Sequence, residues 1–245
     1  MSGHSKWHNI QDKKGKKDQA RSNLFTKLNR AVTLAAQQGS GDVDMNFALR
    51  LAVERAKAAN VPKDNIDKAI KRGTGELADT ARMEAVLYEG FGPSGIAFLI
   101  DAVTDNKNRT VSEIKHVLSL FGGSLGGPGA VQWQFVHKGV ARISSDHINK
   151  LGDRKADFEL ALMDAQADDI KESAEGWTIS TGKDHLQLLV DAVNKFGIEC
   201  DSSNLEWIPK ERIVVGPETL QKISNVSDAL ESLDDVREVF SNVVQ

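Results

Sequence analysis

Three stretches in the first third of the chain repeat apolar residues at helical spacing. Leu24, Phe25, Leu28, Val32 and Ala35 share one face of a helix that Asp18 is suited to cap and Gly39 to stop. A second helix is predicted from about Asn46 to Ala59. It is apolar around most of its circumference, apart from a stripe of Arg50, Glu54 and Lys57, and so should be buried among other helices. A third opens at Pro62, uses Ile66, Ala69 and Ile70, and ends at Gly73. Three short helices make a small bundle.

Beyond Gly75 the period changes. Residues 85–88 read as a strand, 90–95 as a turn and 96–103 as a buried strand. Thr110 and Glu113 have the spacing of a capping box, opening a helix with Val111, Ile114, Leu118 and Phe121 on one face before Gly122 and Gly123 end it. Alternation over 131–135 predicts another strand. Strands at 140–143, 177–179 and 205–208 then alternate with helices over 155–163 and around Leu186–Phe196. A strand at 212–215, a helix opening at Pro217 and a strand near 236–240 close the chain. The pattern is α+β: an N-terminal three-helix domain followed by two ferredoxin-like α+β domains, the third inserted in the second. The expected boundaries are 1–78 for the basic helical domain, 79–136 plus 209–245 for the second, and 137–208 for the inserted acidic domain.

Composition narrows the class. The 245 residues are 40% hydrophobic and 27% charged, ordinary for a globular protein. No run approaches a membrane span, and the N-terminus lacks an apolar signal core. The single cysteine, Cys200, excludes an intramolecular disulfide, and the expected location is the cytoplasm. The net charge of −4 conceals an asymmetry: residues 1–72 hold 15 Lys and Arg against 7 Asp and Glu, while the remainder is correspondingly acidic. Such a division suggests one part that faces a polyanion and one that does not.

The cations concentrate in Lys6, Lys13, Lys14, Lys16, Lys17, Arg21, Lys27 and Arg30, with Trp7 available to stack on a base and Lys71 and Arg72 at the end of the third helix. Lysine and arginine neutralise phosphates without reading sequence. The loop Asp105-Asn106-Lys107-Asn108-Arg109 precedes the predicted cap at Thr110, so Asn106, Lys107, Asn108 and Arg109 are candidates for an anion site at a helix N-terminus, or for a plain turn. Exposed charges there should contribute little to folding. The five glycines between Gly122 and Gly129 lack the Lys-Ser/Thr and the helix of a phosphate loop, and read as structural. No nucleophile elbow or zinc spacing appears, so no catalytic residue, metal, cofactor or small-molecule substrate is expected. Asp168, Asp169, Glu172 and Glu175 form an acidic cluster read as a solvated face, free to meet a protein partner.

Several long segments resemble the YebC/PmpR family in order: Gly3-His4-Ser5-Lys6-Trp7, Lys27-Leu28-Asn29-Arg30, Asn60-Val61-Pro62-Lys63-Asp64-Asn65-Ile66, Tyr88-Glu89-Gly90-Phe91-Gly92-Pro93, Thr104-Asp105-Asn106-Lys107-Asn108-Arg109-Thr110 and Gly122-Gly123-Ser124-Leu125-Gly126. Asn23 departs from the family where a basic residue is usual, and Ala130 where serine is frequent. The resemblance implies a three-domain, cofactor-free, non-enzymatic protein that binds nucleic acid. The expected partner is DNA, as in a transcriptional regulator. The alternative is ribosomal RNA or the ribosome, as in a translation factor acting on stalled, proline-rich translation. Charge alone does not separate the two, although a lysine-rich set favours backbone contacts over base readout.

Overall fold

The computed structural model describes residues 14–77 and 81–244, with side chains from Arg21 onward. Helix α1 spans Lys14–Gln38, α2 Phe47–Ala58 and α3 Lys63–Gly73. The first begins four residues before the expected Asp18 cap, because lysines are good helix formers and one glycine, Gly15, is tolerated. Asn46 caps α2 by accepting the Leu49 N–H at 3.1 Å. The all-round burial expected of α2 does not occur: Leu49, Val53 and Ala56 are buried, whereas Ala48 and Ala58 face solvent. Alanine is apolar but small, so its exposure costs little, and it widens an apparent stripe without demanding burial. The bundle core joins Val32, Ala35 and Ala36 of α1 to Leu49, Val53, Ala56, Ile66 and Ala69.

The first sheet comprises β1 (Glu84–Phe91), β2 (Ala97–Thr104), β3 (Ser124–Leu125) and, far along the chain, β8 (Val236–Ser241), in the order β3-β1-β2-β8. All three pairings are antiparallel. Helices α4 (Lys107–Leu120) and α8 (Pro217–Glu231) cover one face, packing Ile114, Leu118, Ile223, Val226 and Leu230 on Phe98, Ile100 and Ala102. On the other face, Leu34 of α1 packs on Met83 and Val103. Strand β2 is therefore buried on both sides, which explains an apolar run interrupted only by Asp101, whose carboxylate pairs with Arg237. The expected capping box is corrected. Asn106 is the N-cap, accepting the Arg109 N–H at 3.1 Å, and Thr110 lies fully buried inside the helix. The expected strand at 131–135 is a short 3₁₀ turn, Gln132–Gln134, and that at 212–215 reduces to one bridge, Ile213 with Val243.

Residues Phe135–Ile208 form a second compact unit, entered and left through Gln134 and Pro209, while all other described residues form the first. The second contains β4 (Phe135–Ser144), α5 (Ser145–Asn149), α6 (Lys155–Asp164), β5 (Ala167–Ser173), β6 (Gly176–Gly182), α7 (Leu186–Lys195) and β7 (Ser202–Pro209). Its order, β5-β6-β4-β7, with two crossover helices is the ferredoxin-like arrangement. Strand β5 was not visible in the sequence, because Asp168, Asp169 and Glu172 have low strand propensity and resemble loop. The first sheet has the same spatial order, with β2, β3, β1 and β8 in the roles of β4, β5, β6 and β7. Its third-role strand, β1, comes first in the chain, so its connectivity is a permutation of the inserted unit's.

Candidate nucleic-acid interface

The basic residues of the N-terminal third divide into two sets. Lys27 Nζ donates to the backbone oxygen of Glu231, and the Arg30 guanidinium pairs with Asp235 at the α8–β8 corner. Burial lowers the Lys27 ammonium below its ordinary value, against the opposing pull of Glu231 and Asp234. Asn23 Nδ2 donates to Ser232 O at 3.4 Å, so the residue that departs from the family's basic preference also lies on this docking face. Gln37 completes the seam by exchanging two hydrogen bonds with the Met83 backbone, at 2.9 and 3.1 Å. Lys27 and Arg30 thus anchor the bundle to the first sheet.

The other set faces solvent. Arg21 is exposed and stacks its guanidinium 5.2 Å from the Phe25 ring centroid. Lys68, Lys71 and Arg72, at i, i+3 and i+4 on α3, form one exposed cationic face, and none has an ion pair among the described residues. Lys71 and Arg72 also lie in the last turn, where the helix dipole favours cations. Lys68 was missed in the sequence, although its spacing from Lys71 and Arg72 was the available signal. Lys14, Lys16 and Lys17 fall in the first turns of α1. Lys6, Trp7 and Lys13 lie outside the described residues.

The corner at Asn106–Arg109 has a different use from the one its composition suggested. Lys107 and Arg109 are in the first turn of α4, not before it. Asn106 spends its side-chain oxygen on the cap, and Lys107 reaches Glu84 at 2.6 Å with both side chains about half exposed. Asn108 is exposed. Arg109 Nη2 donates to Asp235 Oδ2 at 2.8 Å and to Asp105 Oδ1 at 2.9 Å. Asp235, only 3% exposed, also accepts from the Thr110 hydroxyl at 2.7 Å and the Thr104 hydroxyl at 3.1 Å. The carboxylate beside this helix N-terminus belongs to the chain itself. Burial alone would raise the Asp235 carboxyl, but Thr110, Arg109, Arg30 and Thr104 together hold it below its ordinary value. Its two carboxylate bonds hold Arg109 firmly in its charged form.

The glycine-rich segment is organised by a second buried carboxylate. Glu89, 4% exposed on β1, accepts the N–H groups of Gly129, Val131 and Gln132 at 2.5, 2.6 and 2.8 Å. Burial pushes this carboxyl up, and the three backbone donors outweigh it, leaving it below its ordinary value. Gly129 adopts φ +83°, a conformation that favours glycine, and lets the chain curl round the carboxylate. In the inserted unit Asp168, Asp169 and Glu172 of the acidic cluster lie on β5, and Glu175 follows in the turn. Asp168 pairs with Lys138 at 2.6 Å and Asp169 with Lys171 at 3.5 Å. With Glu159, Met163 and Glu172 they line an open cleft of about 300 Å³. Among the described residues no group of three His, Cys, Asp or Glu side chains converges to hold a metal.

Two family models account for nearly all of the chain: the TACO1/YebC protein N-terminal domain over residues 5–76, and the TACO1/YebC second and third domain over residues 83–243. The chain belongs to the TACO1/YebC family. Relatives in Persephonella marina and Thermotoga maritima, each named "Probable transcriptional regulatory protein", are 43% identical to it over 99% of its length, and the match covers 95% and 93% of their own. A crystal structure of a conserved hypothetical protein from Aquifex aeolicus matches with a TM-score of 0.80 at 35% identity, covering 91% of this chain and 90% of that one. The solved relative bears out the α+β class, with helices followed by two antiparallel sheets.

Proposed function

We propose that this member of the TACO1/YebC family is a cytoplasmic, cofactor-free, non-enzymatic regulator of gene expression that binds DNA through its N-terminal basic region. The observation that carries the reading is the solvent-facing triad Lys68, Lys71 and Arg72, without ion pairs among the described residues, while Lys27 and Arg30 are consumed in docking. The names of the relatives, probable transcriptional regulators, point the same way. Lys6, Lys13, Lys14, Lys16, Lys17 and Arg21 extend the proposed contact set, with Trp7 as a stacking partner. Cations at the start of α1 oppose the helix dipole, and a phosphate backbone there relieves that repulsion. The division into a basic domain 1–78, an α+β domain 79–136 plus 209–245 and an acidic domain 137–208 fits this use. The acidic cleft of the last would repel nucleic acid and receive a protein partner.

A salt titration tests the reading. Each neutralised phosphate contributes about −0.9 to the slope of log K against log salt on duplex DNA. Replacing Lys68, Lys71 and Arg72 by alanine should flatten that slope by up to about 2.7 units on any sequence. Replacing Lys27 and Arg30 should lower stability and leave the slope unchanged. A promoter fragment bound more than about a hundredfold above a scrambled duplex supports the transcriptional assignment. Tighter binding to a structured ribosomal RNA fragment moves the assignment to a translation factor. A flat slope on every substrate overturns nucleic-acid binding altogether.

A further inference from the structure

Trp133 is 66% exposed, yet it is not loose. Its indole N–H donates to Ala130 O at 3.2 Å, and the backbone that carries it is clamped by Glu89 through Gly129, Val131 and Gln132. A buried carboxylate and three backbone bonds therefore hold one large aromatic ring at the surface in a fixed orientation. No burial gain accounts for this arrangement, since the ring remains in solvent. The only polar group of the indole is already bonded within the loop, so the free feature is the π-face.

Two exposed cations lie on the chain segment that bonds to the residue after Trp133, in the same compact unit. The Lys210 N–H bonds to Gln134 O at 2.9 Å, laying the segment Lys210-Glu211-Arg212 next to the tryptophan turn. The Gln134 side chain accepts from Asn242 at 2.8 Å, and Asn242 O accepts the Ile213 N–H at 2.7 Å, which fixes the segment's far end. Lys210 and Arg212 are both exposed, and neither has an ion pair among the described residues.

We infer that Trp133, with Lys210 and Arg212, is a second nucleic-acid contact that stacks an unpaired base and holds its flanking phosphates. The chemistry is sequence-tolerant, because every base has a π-face and the donor that would discriminate edges is occupied. The fixed ring loses little rotamer freedom on binding. The site takes single-stranded segments, since a base in a duplex presents no free face. Its residues differ from those proposed on α1 and α3, and it rests on the nucleic-acid reading above.

The test uses full-length protein and an unstructured oligoribonucleotide of about 12 nucleotides, beside the same strand with abasic residues at its centre. Wild type should prefer the base-bearing strand, and Trp133→Ala should weaken binding to that strand by about 5- to 150-fold with little effect on the abasic one. Trp133→Phe should restore most of the preference. Replacing Lys210 and Arg212 by alanine should reduce the single-strand salt slope by up to about 1.4 units. The variants should melt as wild type does, because Trp133 is a surface residue. Equal binding of both strands by wild type, or a preference that survives in Trp133→Ala, overturns the inference and assigns the ring to a protein contact. A wild type that binds neither strand nor duplex DNA instead overturns the nucleic-acid reading itself.

Discussion

Arg30 on α1 pairs with Asp235 at the α8–β8 corner, although 205 positions of sequence separate them. That carboxylate also receives Arg109 and the hydroxyls of Thr104 and Thr110, so one buried acid joins the helical bundle to the first sheet. Removing it takes that acceptor from the largely buried Arg30 and from two buried threonine hydroxyls. Asp235→Ala should destabilise the protein by about 3–5 kcal/mol. Urea unfolding checks this, and a change below about 1 kcal/mol would show that the corner is replaceable.

Lys107 and Arg109 look equivalent in the sequence and should behave differently. The Lys107–Glu84 pair is half exposed on both sides, so Lys107→Ala should change stability by less than about 1 kcal/mol. Arg109 bonds a carboxylate that is almost fully buried, but is itself partly exposed, so Arg109→Ala should cost about 1–3 kcal/mol. Thermal melts of the two single variants, compared at equal concentration, decide whether the difference exists.

Asp235 and Glu89 also set an acid limit. Both folded-state carboxyls lie below their ordinary values of 3.8 and 4.5. The unfolded chain therefore binds protons first as pH falls, and the stabilisation present at neutral pH is lost through and below that range. Stability measured from pH 7 to pH 3 should fall with pH, and the fall should be smaller in Asp235→Asn, which lacks one of the two titrating groups. An unchanged pH dependence in that variant would remove Asp235 as a source.

Glu89→Ala should loosen the loop from Gly126 to Trp133 while the sheet survives. Three backbone N–H groups lose their acceptor, each worth about 1–3 kcal/mol if it stays buried and less if water reaches it. Hydrogen exchange at Val131 and Gln132 should accelerate well beyond that of β2. Equal protection in the variant would mean that the loop is held by other contacts.

Burial, with Asp201 nearby, pushes the Cys200 thiol up to about 12. Alkylation at pH 8 should then be much slower than for a free thiol, which titrates near 8.5, and should become rapid only on unfolding. Labelling at the free-thiol rate in native buffer would contradict the burial.

Sequence by itself determined the elements whose stabilisation is local. The period-3.6 faces of α1 and α3, the Asn46 and Gly39 boundaries of α2 and α1, and the charge asymmetry all depend on near neighbours along the chain. So did the family, through the ordered segments from Gly3 to Gly126. Tertiary structure decided what depends on distant partners. Asp18 and Thr110 have the chemistry of caps, but α1 continues back to Lys14, and Thr110 serves Asp235 from inside a helix. Strand β5 exists because β6 supplies its hydrogen bonds, against the propensity of its own acids. Most of all, a lysine or arginine looks the same in sequence whether it will meet phosphate or carboxylate. Arg30 and Arg109 meet the Asp235 carboxylate, and Lys27 the Glu231 backbone oxygen, because of where the α8–β8 corner packs; charge acts through space and composition records only its amount.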